Sequence, residues 1–104
     1  MKTSLTLWEI LVPAADNAGK EFTIDFHRQW DAKVRIIAGG MTIMKAARGQ
    51  WTSPETFTVY SEKMLPVRIA CMQNEMAIIA AMTKEHYAQE KVMYYKIASE
   101  VYFL

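Results

Sequence analysis

Three residues in the middle of the chain, Trp51, Tyr60 and Glu62, have the types from which a small site is built. Tyr60 and Glu62 are two residues apart, so on an extended strand a phenol and a carboxylate share one face. A carboxylate beside an aromatic ring can hold a cationic ligand, or act as a general base if desolvation raises its pKa. The same carboxylate can instead pair with Lys63, Lys45 or Arg48 at a subunit rim, where it does no chemistry. Trp51 also admits two roles: its face can stack on a ligand base or cation, or it can anchor a hairpin to the core or to a neighbouring subunit. Lys45 and Arg48 can meet a phosphate, although two exposed cations on a turn are usually solvated. Glu62 and Tyr60 are therefore the candidate catalytic residues, and Trp51, Lys45 and Arg48 the candidate ligand-binding ones.

Other chemistry is poorly represented. His27, His86 and Cys71 are the soft ligands of the chain and stand in no metal-ligand spacing, so no metal is expected. A Cys71–His nucleophile pair needs a spatial adjacency that spacing does not show, and a small core thiol is the simpler reading. His86, near a helix C-terminus, complements the dipole there. Gly39-Gly40 is not followed by a helix, so it lacks the setting of a dinucleotide or phosphate loop, and no cofactor is called for.

The elements that position these residues follow from periodicity. Residues 3 to 12 alternate as a strand, with Leu5, Leu7 and Leu11 on one face and Trp8, Ile10 and Val12 on the other. Both faces are apolar, which implies a cover on each. After Pro13 and a loop of turn formers, Thr23 can cap a helix with Asp25 near its positive end. Phe26, Trp30, Val34 and Ile37 form its apolar stripe, and Gly39 supplies a left-handed stop.

Met41 to Ala46 reads as a short strand with Ala47-Arg48-Gly49 as its turn, and Thr52-Ser53-Pro54-Glu55 as further punctuation. A strand from Phe57 through Glu62 continues to Met72, and Pro66, which cannot donate to a ladder, predicts a bulge or bend between Lys63 and Pro66, beside Glu62. Asn74 can cap a second helix from Glu75 to about Ala88, its inner stripe being Met76, Ile79, Ala80, Thr83 and Tyr87. A last strand runs through Met93, Tyr95, Ile97, Val101 and Phe103, again apolar on both faces.

The order β-α-β-β-α-β is the ferredoxin-like split arrangement: an α+β domain covering residues 1–104, with a four-stranded antiparallel sheet and two helices on one face. Right-handed crossovers put the first and third strands at the centre. The open sheet face and the two edges are where a second copy is expected, as a dimer or a trimer.

Composition supports that expectation. The chain of 104 residues is 52% hydrophobic and only 22% charged, a greasy balance for a domain with so much surface to cover. Its eight methionines suit adaptable contacts. A net charge of +1 argues against a nucleic-acid backbone as partner. The single cysteine suggests a reducing compartment, with cytoplasm the default. Glu9 interrupts the first apolar run before it can form an export signal, and no stretch approaches the ~20 apolar residues of a membrane span.

With the elements in place, Gly40-x-Thr42, Gly49-Gln50-Trp51, Glu62 and Tyr87-x-Gln89-x-x-Val92 resemble the motifs of a bacterial family of short, mostly exported proteins of unknown function. The resemblance spans roughly residues 6 to 104 and implies the same fold; the chain departs from that family in lacking its export signal. A fainter similarity, in topology and in Glu62 with Trp51 or Tyr60, is to phage-encoded S-adenosylmethionine lyases, small ferredoxin-like trimers that resemble PII-type signalling proteins. Three functions then stand side by side. The first is a homo-oligomer holding or sequestering a nucleotide-sized or adenosyl ligand at subunit interfaces. The second is a lyase using Glu62 as base or sulfonium stabiliser, and the third a protein whose greasy faces serve assembly alone.

Overall fold

The computed structural model describes residues 5–104. Residues 3 and 4 of the expected first strand fall outside that range. Seven elements follow one another: β1 (Thr6–Pro13), α1 (Ile24–Ala38), β2 (Thr42–Ile43), β3 (Ala47–Thr52), β4 (Val59–Cys71), α2 (Gln73–His86) and β5 (Tyr94–Ala98). The sheet is antiparallel in the order β2-β4-β1-β5, and β3 also pairs with β4. The two central strands are β1 and β4, as right-handed crossovers require. This is the ferredoxin-like α+β architecture, with its second strand broken in two.

The core lies between the helices and one face of the sheet. Trp8, Ile10 and Val12 of β1 and Val67, Ile69 and Cys71 of β4 meet Trp30 and Val34 of α1 and Met76, Ile79 and Ala80 of α2, all of them buried. Alternation along β1 therefore splits as the sequence indicates, with Leu7 and Leu11 turned to the open face. The two helices are also joined by a polar link: the Trp30 indole N–H donates to Thr83 Oγ1 at 2.8 Å, and that hydroxyl donates to Ile79 O at 2.6 Å. These two buried groups are thus satisfied inside the layer, whereas the buried Trp8 indole N–H has no hydrogen-bond partner among the described residues.

Local chemistry sets the helix ends. Thr23 Oγ1 accepts the Phe26 N–H at 3.1 Å, and Gly39, at φ 87°, ends α1 in the left-handed region. Asn74 does not cap α2. The chain leaves β4 at Cys71 and enters the helix directly, Met72 occupies the cap position, and the Glu75 carboxylate accepts the Met72 N–H at 2.9 Å.

The middle of the chain differs most from the sequence reading. Ala47-Arg48-Gly49 is strand, and the reversal comes at Ser53–Thr58, where Ser53 N–H reaches Thr58 O at 2.9 Å and Phe57 takes φ 58°. Gly49 lies within the strand and not in a turn: a Cβ there would lie 2.8 Å from Met64 Cε, the movable end of a flexible side chain. The irregularity forecast at Pro66 falls on the opposite strand. Between the pairs Ile43↔Val67 and Ala47↔Met64, three residues face two, which is a one-residue bulge. Met44 N–H still bonds Pro66 O at 2.8 Å, but the proline has no N–H to return. β4 itself runs unbroken. At the far edge, β5 spans Tyr94–Ala98, so Val101 and Phe103 of the expected last strand lie beyond it.

Candidate functional site

The hairpin of β3 with the first half of β4, residues 47–63, forms an arm whose side chains are nearly all exposed. The molecule measures 51 × 30 × 22 Å along its principal axes. In its register Trp51 stands opposite Tyr60 and Gly49 opposite Glu62. Trp51, Tyr60 and Glu62 therefore share one face. The two rings stack with centroids 4.8 Å apart and planes 21° from parallel. Trp51 is 50% exposed and Tyr60 43%. Among the described residues the Glu62 carboxylate makes no hydrogen bond or ion pair, although it lies next along the strand row from Tyr60.

The basic candidates are placed differently. Arg48 is opposite Lys63, which puts both on the reverse face of the arm, away from Glu62. Two cations directly across a ladder repel; Lys63 is engaged by Glu21 at 3.4 Å, and Arg48 has no carboxylate partner among the described residues. Lys45 sits exposed in the bulge at the base of the arm. The rim pairing of Glu62 with Lys63, Lys45 or Arg48 is not made within the chain. Two shallow clefts of about 360 and 460 Å³ lie along the helices, and neither involves Trp51, Tyr60 or Glu62.

Elsewhere on the open sheet face lies a cluster that sequence reasoning missed. Glu9 on β1 is opposite Arg68 on one side and Tyr95 on the other. Its Oε1 accepts from Arg68 Nε at 3.0 Å and its Oε2 from the Tyr95 hydroxyl. The tyrosine bond, aided by Arg68, outweighs burial and lowers the Glu9 pKa, while the same bond raises that of Tyr95. A lone carboxylate between Leu7 and Leu11 was the available signal; identifying its partners required the strand register.

The nucleophile reading of Cys71 fails on its surroundings. The side chain is 1% exposed and burial pushes its thiol up to about 11, so the thiolate is scarce at neutral pH. His27 and His86 belong to an aromatic group with Phe22, Phe26 and Tyr87 at the helix ends: His27 Nδ1 lies 2.7 Å from the Tyr87 hydroxyl, and His86 Nε2 2.9 Å from Phe26 O. Burial lowers the His27 pKa. No group of three or more His, Cys, Asp or Glu side chains among the described residues could hold a metal ion. Among those residues, no helix is long and apolar enough to cross a membrane.

No protein-family model matches the chain, and no curated relative does either. Solved structures do share its fold. A phage SAM lyase in complex with S-methyl-5′-thioadenosine superposes with a TM-score of 0.68 at 16% identity, covering 99% of this chain and 96% of that one. CutA1 from Shewanella sp. SIB1 gives 0.69 at 13% identity over 99% and 88% of the two chains. The divalent cation tolerance protein CutA from Archaeoglobus fulgidus gives 0.68 at 8% identity over 95% and 87%. At such identities the likeness establishes the fold, and function has to be argued from the arm and the open sheet face.

Proposed function

We propose that the protein is a homo-oligomer that binds a nucleotide-sized adenosyl ligand where the arm of one copy meets its neighbour. The observation that carries this reading is the half-exposed Trp51–Tyr60 stack beside Glu62, whose carboxylate has no partner among the described residues, on an arm that none of those residues covers. A two-stranded hairpin alone in water is marginally stable, and exposed apolar side chains clustered on it mark a contact surface. Val59, 60% exposed on the reverse face of the arm, and Phe57, 79% exposed at its tip, add further uncovered apolar area. The aromatic pair offers a face to a purine, and the carboxylate offers charge to a cationic centre next to it.

A screen of nucleotides and adenosyl compounds by thermal shift and calorimetry tests this. Binding that disappears in Trp51→Ala and weakens in Glu62→Gln supports it. No shift with any compound at high protein concentration leaves assembly as the function.

A second reading, S-adenosylmethionine lyase, is favoured by the fold shared with the phage enzyme over 99% of this chain. In such a step Glu62 would stabilise the sulfonium or take a proton from the amino-acid arm as the C–S bond breaks, the sulfur leaving with the bonding pair in S-methyl-5′-thioadenosine. Chromatography after incubation with S-adenosylmethionine checks it: the thioether nucleoside should accumulate with the wild type and not with Glu62→Gln. Absence of turnover removes this reading and leaves the binding one standing.

A further inference from the structure

The open sheet face carries an arginine that is held in place but not used up. Glu9 is 8% exposed, and both of its oxygens are engaged, one by Arg68 Nε and the other by Tyr95. The Arg68 side chain is 40% exposed and gives Glu9 only its Nε, so both terminal nitrogens lack a partner among the described residues. A guanidinium fixed through Nε still has two parallel N–H groups at its end. That fork takes a carboxylate bidentately, which a lysine in the same position could not do.

Row position then relates this cation to the arm. Tyr60, Glu62, Met64, Pro66 and Arg68 alternate along one face of the unbroken β4. Glu62 and Arg68 are six residues apart, roughly 20 Å at ~3.3 Å per residue. In S-adenosylmethionine only three carbons separate the sulfonium from the carboxylate, so no single copy can hold both groups with these two residues. A closed assembly can, because every copy contributes one arm and receives one.

We propose that Arg68 of one copy binds the carboxylate of an adenosyl amino acid whose base and sulfur lie against Trp51, Tyr60 and Glu62 of the next copy. The proposal rests on the adenosyl reading above and narrows its ligand to nucleosides that carry an amino-acid arm. Glu9 and Tyr95 act through Arg68 as positioning residues.

The test uses two unreactive thioethers that differ in this arm alone, S-adenosylhomocysteine and S-methyl-5′-thioadenosine, titrated calorimetrically into the assembled protein. Arg68→Gln should weaken the first by about 10- to 100-fold, the range of a charge-assisted hydrogen bond, and change the second less than about twofold. Arg68→Lys, which keeps a charge beside Glu9 but removes the fork, should lower the same preference and serves if the glutamine variant fails to fold. Co-expressing Arg68→Gln with Trp51→Ala copies should regain a fraction of tight S-adenosylhomocysteine sites. Equal losses for both ligands, no loss, or no regained sites in the mixed assembly overturn the Arg68 assignment. Wild-type protein that binds neither compound overturns the adenosyl reading itself.

Discussion

The helix-covered core and the arm use similar residues to opposite ends. On the helix side, Ile10, Val67 and Ile69 are at most 1% exposed and the polar groups of Trp30 and Thr83 satisfy each other. On the arm, Trp51, Phe57, Val59 and Tyr60 are as apolar and are 43–79% exposed, beside a Glu62 carboxylate that has no partner among the described residues. The first region buries its apolar residues within one chain. The second leaves them open, and the proposed assembly would cover them.

The largest effect expected from breaking this contrast is on assembly. Trp51→Ala combined with Tyr60→Ala should reduce the protein to single copies and abolish adenosyl binding, while circular dichroism still shows both helices. A double variant that assembles normally would mean that the arm is not the contact. In the closed layer the effect runs the other way: Ile69→Ala should cost about 2–5 kcal/mol in denaturant unfolding through the cavity it leaves, with the arm's contacts intact. Thr83→Val should cost less, about 1–3 kcal/mol, because the Trp30 indole loses its acceptor.

The smallest effects are those of pH, and they distinguish the faces. Both relevant groups have lowered pKa values in the folded protein, so each adds stability above its unfolded value and loses that contribution as pH falls through its folded one. For His27 the loss begins below about 6.5 and for Glu9 below about 4.5. Acid should therefore soften the helix side first. In unfolding measured against pH, His27→Gln should flatten the upper step and Glu9→Gln the lower one; an unchanged curve in either variant would remove that group from the account.

The helix side was largely legible in the sequence because one periodicity controls it. Trp30 and Val34 recur at helical spacing, Thr23 and Gly39 punctuate α1, and Met76 through Tyr87 form the stripe that is buried. The arm was less legible. Gly49 looks like a turn residue, but it lies inside β3, and the reversal is built instead by Ser53 and a left-handed Phe57. That misplacement also set Arg48 beside Glu62, whereas the strand register turns it to the reverse face with Lys63. Trp51, Tyr60 and Glu62 do come together, since spacing of two along a strand fixes a face whatever the turn. The Glu9–Arg68–Tyr95 cluster could not be read, because its members are 59 and 86 residues from Glu9 along the chain and meet only through the pairing of three strands.

The claim that the arm needs a second copy is tested most directly by the protein's mass in solution, measured by sedimentation equilibrium over a range of concentrations. The account predicts a small integral multiple of 12.0 kDa that falls to 12.0 kDa when Trp51 and Tyr60 are both replaced by alanine. A wild-type mass of 12.0 kDa at every concentration would contradict it.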